Sequence, residues 1–475
     1  MGEAEDIGRS ELSRVADTTP PATPKPAGGR LTDTHYIPGA VSGSYPIRDG
    51  NKVEPLIHAS VFFERLCNAV DSARHRLWVT VAFLGWDFLF PDGRGFFDVL
   101  DHAAARGVDV RLLVWRPNPE AGHHPIMFGG TPEDRDRLLR LGSRVKIRWD
   151  RAIGRYCQHQ KSWVIDAGFP SETAFVGGAN ITLRSTQHHD VYLEVAGPSA
   201  SDVHHNFVQR WNEASERKAE DGNWQCDAAD RLPFPSVASP ARGSSRVQIQ
   251  RMLHADRYFD GHAAPGTSSI DIGCGERSIA EQYVKAIDAA RRTIYLENQA
   301  IPIMEIAAPL ARALARGVDV VLLVPTTPEA YVFAARQDPA ERRRFEGVEL
   351  LARFPNFLLA GLAGRDAADS EPLYVHAKLM IVDDAWCTIG SCNLHEFSLV
   401  GHCEMNASIW DGGVARQLRQ VLLSRHLGVD ARTLDDLAAL RLFRETSDEN
   451  RRRQERGEPV ARGHALTLSP ERYGM

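Results

Sequence analysis

The chain has 475 residues, a formal net charge of −6 and a sequence pI near 6.3, with 43% hydrophobic and 25% charged residues. That composition is globular, and the length allows two or three domains or one duplicated pair. The acidic balance weighs against non-specific nucleic-acid binding, which needs a basic surface, and no apolar run is long enough to predict a membrane-spanning helix.

Residues 1–45 are rich in Pro, Thr, Ala and Gly, a composition that cannot bury a core, and read as a disordered tail. The first residues carry acidic side chains where a secretory leader needs basic ones, so a cytoplasmic location is expected. Residues 46–225 form a first lobe. Its helix has Phe63, Leu66, Val70 and Ala73 at helical spacing, then a β-run from Leu77 to Phe83. A second helix ends at Arg106-Gly107, where the glycine suits a C-terminal cap, and a buried-type strand follows from Val110 to Trp115. Residues 226–245, rich in Pro and Ser, read as a linker. Residues 246–430 repeat the first lobe's order. Residues 431–475 show helical patterning (Leu434, Leu437, Leu440, Leu442) and end in a charged tail whose Arg451-Arg452-Arg453 reads as a solvated face. The seven cysteines have no short regular spacing and read as reduced and packed; Cys387 and Cys392 lack the second pair that a metal site would require.

The repetition is literal in places. Ala105-Arg106-Gly107-Val108-Asp109-Val110 recurs as Ala315-Arg316-Gly317-Val318-Asp319-Val320, and Asp71 is answered by Asp288. The two features are offset by 210 and 217 residues. Two homologous halves follow. Each runs strand, helix, strand, so the predicted fold is α/β: two similar lobes with mostly parallel sheets, related by a pseudo-two-fold axis, with an active site where they meet.

The informative repeat is chemical. His159-x-Lys161-x4-Asp166 recurs as His376-x-Lys378-x4-Asp383, again offset by 217 residues. Each copy leads to an asparagine: Gly177-Gly178-x-Asn180, and Gly390-Ser391-x-Asn393. The chain has only seven lysines, and two stand in these motifs. A short β-rich run follows each lysine, so His and Lys, two apart, are expected on one face of a strand. A neutral imidazole can attack phosphorus and form a phosphohistidine; a second, protonated imidazole can donate to the leaving oxygen. Lys161 and Lys378 can neutralise the phosphoryl oxygens, with Asn180, Asn393 and Ser391 as phosphate-binding donors. No metal or cofactor is needed for this inventory. One half supplies one histidine, so the halves must face each other. Asp190 lies 31 residues after His159 and Glu404 lies 28 after His376. Each is expected to orient its own half's histidine by accepting from one ring nitrogen, against the plain reading of a carboxylate at a strand start.

With these motifs the chain resembles the phospholipase D superfamily over roughly residues 50–430. Tyr295-Leu296-Glu297-Asn298-Gln299 is similar to a segment of the lipid-cleaving members, as are His189-Asp190-Val191, Gly197-Pro198 and Phe207–Asn212. The resemblance implies a metal-independent phosphohistidine mechanism, with His159 as nucleophile, His376 as acid and base, and Asp166 and Asp383 as supporting residues. Gly178, where the second half has Ser391, departs from strict symmetry.

Other groups have plainer readings. His188-His189-Asp190 could be drawn as a metal cluster, but neighbours on a strand point to opposite faces. His123-His124 and His204-His205 read as loop and helix-surface residues. Pro125–Gly130 and Phe354–Leu362 are apolar enough either to rim the site at a lipid surface or to pack in the core, which is the favoured reading. The expected activity is a phospholipase D that cleaves the head-group phosphodiester of a glycerophospholipid, as a monomer with peripheral membrane contact. A cardiolipin synthase-like phosphatidyltransferase, a nuclease of the same chemistry, and a non-catalytic binding protein are the alternatives.

Overall fold

The computed structural model describes residues 36–122, 128–214, 230–364 and 372–475. His123, His124 and Pro125–Met127 lie outside them.

In the first lobe the strands are β1 (Arg48–Ile57), β2 (Arg76–Val81), β3 (Asp109–Trp115), β4 (Lys146–Asp150), β5 (Ser162–Ile165), β6 (Thr173–Gly177) and β7 (Val191–Ala196). The second has β8 (Ser245–Leu253), the short β9 (Glu276–Arg277), β10 (Thr293–Glu297), β11 (Asp319–Leu323), β12 (Phe357–Leu362), β13 (Leu379–Val382), β14 (Trp386–Gly390), β15 (Glu404–Trp410) and β16 (Ala465–Thr467). Outward from the seam, one lobe reads β1-β7-β6-β5-β2-β3-β4 and the other β8-β15-β14-β13-β10-β11-β12-β16. The duplication is therefore visible strand for strand, and β1 pairing with β8 (Arg48 to Val247, Asn51 to Ser245) makes the two sheets one.

Mostly parallel pairing does not hold. Among the named strands, only β2-β3-β4 and β10-β11-β12 are parallel, where helices make the crossovers; every other pairing of these strands is antiparallel. The physical reason is connection length. A parallel neighbour needs a helical crossover, whereas each motif strand is joined to the next by a short connection without a helix (166–172 and 383–385), which brings the chain straight back antiparallel. Those connections bend at Asp166 and Asp383, which adopt φ of 53° and 55°.

Helices cover both faces. In α1 (Ala59–Ser72), Phe62, Phe63, Leu66 and Val70 are buried on the face expected from their spacing. Helix α2 (Phe96–Ala105) ends before Gly107, at φ +90°, the left-handed position where a side chain would be strained. Helix α3 (Pro132–Leu141) has its N-terminus capped by Thr131. Helix α4 (Ala200–Asn212) is buried all round, so His204 and His205 are interior rather than surface residues: His204 pairs with Glu172 at 2.8 Å, and His205 with the Tyr45 hydroxyl at 3.1 Å. The second lobe repeats the layer with α5 (Ser278–Ala289), α6 (Met304–Ala315), α7 (Ala330–Gln337), α8 (Arg343–Leu351), α9 (Glu396–Val400) and α10 (Gly412–Leu427). Phe357–Leu362 is core strand and Phe128 is buried, so packing accounts for these parts of the two apolar segments.

Both predicted ends need correction. Residues 36–45 dock on the second lobe. The Trp410 indole donates to the Ile37 carbonyl at 2.7 Å, Ala40 N–H donates to Gln282 at 2.8 Å, and Tyr45 is buried. Nor is 431–475 a tail. Leu440 and Phe443 of α11 (Asp436–Glu455) are buried, and β16 extends the sheet beside β12. Arg451, Arg452 and Arg453 pair with Glu455 and Glu449 on the exposed face. Among the described residues no helix is long and apolar enough to cross a membrane.

Candidate active site

His159 and His376 sit on extended segments just before β5 and β13, where each meets the other lobe. His159 N–H donates to the Cys403 carbonyl at 2.8 Å, and Cys403 N–H to the Cys157 carbonyl at 2.9 Å. On the opposite side His376 N–H donates to the His189 carbonyl at 2.8 Å, and His189 N–H to the Tyr374 carbonyl at 2.9 Å. Each forms an isolated parallel bridge, Gln158 with Cys403 and His189 with Val375. The residue after Cys403 is Glu404 and the residue after His189 is Asp190, so each bridge carries a carboxylate to a histidine.

The carboxylates are consequently crossed. Glu404 lies 2.9 Å from Nδ1 of His159, and Asp190 Oδ2 lies 2.6 Å from Nδ1 of His376. The expectation that each orients its own half's histidine is corrected: the parallel bridges, not sequence proximity, choose the partner. A carboxylate at Nδ1 fixes the tautomer with the proton there, leaving Nε2 as the free nitrogen. Both imidazoles line one cavity of about 370 Å³, together with Asn180 and Asn393, each of which has a buried Oδ1 lacking a hydrogen-bond partner among the described residues.

The two dyads are built differently. Glu404 also accepts from the hydroxyls of Ser391 at 2.5 Å and Ser398 at 2.6 Å. Ser391 is thus fully buried against a carboxylate and does not line the cavity, which corrects its expected place among the phosphate-binding groups. In the first lobe Gly178 takes the equivalent place. A Cβ there would come within 2.8 Å of Asp190 Oδ1, so the position has no room for a serine unless the carboxylate moves. Asp190 instead accepts from Val191 N–H at 2.8 Å.

Lys161 and Lys378 are 1% exposed and, like Ser391, stand behind the cavity wall rather than on it. Lys161 Nζ donates to the His159 carbonyl at 2.8 Å, and Lys378 Nζ to the His376 carbonyl and, at 3.1 Å, to Gln299 Oε1. Burial lowers Lys161 to about 8 and Lys378 to about 7. Burial also holds His159 and His376 well below the usual imidazole value, reinforced by both lysines, while it raises Asp190 to about 7 and pushes Glu404 upward. Such a cluster is poised for an anionic group, whose charge would restore the charged forms of the lysines.

Asp166 and Asp383 stand away from the cavity. Asp166 Oδ1 accepts the backbone N–H of Arg74 and His75 at 2.9 and 2.8 Å. Asp383 accepts those of Arg291, Arg292 and Thr293 at 2.8, 2.8 and 2.7 Å. Each ties the turn after its motif strand to the start of the neighbouring strand.

His395, His402 and Tyr374, near the site, were not singled out from sequence. His395 and His402 line the cavity, held by backbone bonds from Ser398 N–H (3.2 Å) and Cys157 N–H (3.0 Å). Gln299 bridges Lys378 to Tyr374, whose hydroxyl donates to Glu329 at 2.8 Å. That chain reaches a larger polar recess of about 670 Å³ lined by Arg184, His188 and Glu329. His189 turns away from its neighbours, as strand alternation requires, and meets Glu297 at 2.6 Å; His426 meets the same carboxylate at 2.9 Å. Among the described residues, these three are the grouping whose donor atoms, within 4.8 Å of one another, could share a cation. Here they form a buried hydrogen-bonded triad behind Asp190.

Comparison with known proteins agrees with this architecture. Residues 66–211 and 283–425 each match the family model described as the cardiolipin synthase, phospholipase D-like domain, and residues 172–302 match a phospholipase D model. Phospholipase D A of Dictyostelium discoideum is 25% identical over 453 residues, covering 75% of this chain; the match spans only 32% of that longer protein. Cardiolipin synthase A of Pseudomonas entomophila is 26% identical over 393 residues, covering 80% of this chain and 70% of the relative. Cardiolipin synthase of Listeria welshimeri is 23% identical over 387 residues, covering 78% and 68%. Among solved structures, phosphatidylserine synthase of Haemophilus influenzae superimposes with a TM-score of 0.51 at 14% identity, covering 80% of this chain and 86% of that one, a likeness of fold. With two phospholipase D-like domains matched over more than half its length, the chain belongs to the phospholipase D superfamily.

Proposed function

We propose that this enzyme transfers a phosphatidyl group from a glycerophospholipid to an alcohol through a phosphohistidine, in the manner of a cardiolipin synthase. The observation that carries the reading is the pair of imidazoles, one per lobe, lining one cavity, each with Nδ1 against the opposite lobe's carboxylate. The relatives named cardiolipin synthase, matched over two thirds or more of their length, favour transfer between lipids over release of a free head group.

In the proposed cycle His159 Nε2 attacks phosphorus. The bond to the departing alcohol breaks, and that oxygen takes an Nε2 proton from His376, which burial keeps neutral in the free protein and which takes up that proton with the anionic substrate while Asp190 holds its Nδ1. His376, now neutral, accepts the proton of an incoming hydroxyl, whose oxygen attacks phosphorus as the phosphorus–nitrogen bond breaks. Lys161, Lys378, Asn180 and Asn393 meet the charge that gathers on the non-bridging oxygens. Glu404 and Asp190 hold the tautomers and stabilise each imidazolium. The second reading, hydrolysis to phosphatidic acid, uses the same steps with water as acceptor and is favoured by the phospholipase D model match and the Dictyostelium relative.

The test is incubation of purified protein with phosphatidylglycerol and EDTA, with and without ethanol. Transfer gives cardiolipin plus glycerol, and phosphatidylethanol when ethanol is present. Phosphatidic acid as the main product would favour hydrolysis. Cleavage of oligonucleotides with every lipid left intact would overturn both readings.

A further inference from the structure

Beside the reaction cavity runs a second, very different space. It shares Gln299, Tyr331 and His395 with that cavity, so the two are continuous. Away from the junction its walls are Ala300, Ile301, Ile303, Val332, Ala335 and Phe345, with Arg344, Glu396 and Tyr473 also on the lining, and the surface they expose to the slot is mostly apolar. Ile301, Ile303 and Val332 are only partly buried, packed along the margin of the second lobe's core. The slot admits about 40 Å³, little more than one water-sized group. A ring or a hydrated head group is too wide for it, whereas an extended polymethylene chain is narrow and apolar. Water gains little there, because most of the surface facing the slot is apolar.

From this we infer that the slot between α7 and the Ala300–Ile303 segment is an acyl-chain subsite, taking the first methylene groups of the lipid whose phosphate sits between His159 and His376. The inference deepens the reading above by assigning where the lipid's apolar part is held, and it rests on that reading for the identity of the phosphate. Tyr331, 49% exposed and common to both spaces, marks the point where the polar and apolar parts of such a ligand divide. The polar recess on the far side of Tyr374 has the opposite chemistry and would reject a chain.

The experiment uses full-length protein and calorimetric binding of inorganic phosphate, butyl phosphate and hexyl phosphate. Each methylene removed from water is worth about fourfold in affinity. A slot that takes one or two of them should make hexyl phosphate bind about tenfold tighter than inorganic phosphate. Ala335→Phe, which fills the slot, should erase that gain while leaving the affinity for inorganic phosphate unchanged. Val332→Phe, from a half-buried position on the same wall, serves as the second variant should the first fold poorly. Equal affinities for the three phosphates, or a chain-length gain that both folded variants retain, would overturn the subsite. Because the readout is binding, it separates from the functional reading: a protein that shows the chain-length gain yet turns over no phospholipid keeps the slot and loses the transferase.

Discussion

Replacing Asp190 by Asn should cut turnover about a thousandfold, and should do so through His376, which belongs to the other lobe. Asp190 Oδ2 lies 2.6 Å from His376 Nδ1, and the two side chains are 0% and 6% exposed, so no solvent can substitute for the lost carboxylate. A hydrogen bond to a charged group is worth about 1.5–3 kcal/mol, which alone is about 10- to 150-fold in rate. Asn adds a further penalty. Its amide can donate to Nδ1 and force the ring proton onto Nε2, and the same exchange in a serine-protease triad costs about 10⁴ in kcat. A value near 10³ lies between these bounds. Unfolding will not explain it. Burial raises the Asp190 carboxyl to about 7, above its unfolded value, so this group's stabilising contribution is present at low pH and is lost as pH climbs toward 7. Asp190→Asn removes that loss, and the melting temperature at pH 8 should not fall. The assay pairs steady-state kinetics with nitrogen-15 NMR of histidine-labelled protein. Asp190→Asn should shift the tautomer of His376 and leave His159 alone, and Glu404→Gln should do the reverse. A tautomer change at His159 in Asp190→Asn, or a loss of less than tenfold, would refute the crossed-dyad reasoning.

Further expectations follow from the same geometry. Asp383→Ala strands three backbone N–H groups at about 1–3 kcal/mol each, so urea denaturation should show a loss of about 3–9 kcal/mol, with Asp383→Asn milder; inactivity at full stability would instead put Asp383 in the chemistry. Ser391→Ala should lower kcat about tenfold by loosening Glu404 and leave KM alone, whereas a raised KM with normal kcat would return the hydroxyl to the phosphate. Because Lys378 and Lys161 are lowered to about 7 and about 8, both are charged in the free protein at pH 6 and largely neutral at pH 8.5. Sulfate binding, measured calorimetrically in buffers of different ionisation heat, should therefore take up roughly one to two protons at pH 8.5 and none at pH 6; no uptake at either pH would contradict buried, neutralised lysines.

Much of this site could be read from residues alone. The motif pair, its spacing and the asparagines placed two lobes around one phosphate, and His159, His376, Asn180 and Asn393 do line one cavity. The pairing of Asp190 with His376 was not readable, because it depends on two isolated bridges between segments more than 180 residues apart. Ser391 misled for a related reason: its position in a Gly-Ser-x-Asn turn suggests a phosphate donor, but Glu404, one methylene longer than Asp190, reaches its hydroxyl first. Sheet direction failed where local pattern is silent. The apolar run of β13 (Leu379–Val382) is equally compatible with either direction, and the tight turn at Asp383 decides it. The strand Ala465–Thr467 is too short to show alternation, and Tyr36–Tyr45 earns its order through contacts with Gln282, Glu281 and Trp410 that composition cannot foresee.

The central claim is that two imidazoles from opposite lobes act on one phosphorus atom through a covalent intermediate. Its most direct test is rapid quenching of enzyme with phospholipid labelled in the phosphate, in EDTA, followed by peptide mapping. The account predicts an acid-labile, base-stable label on the peptide bearing His159, absent in His159→Ala and formed only slowly in His376→Ala, which loses the proton donor for the leaving oxygen. Label on any residue other than these two histidines, or turnover with no label at all, would contradict it.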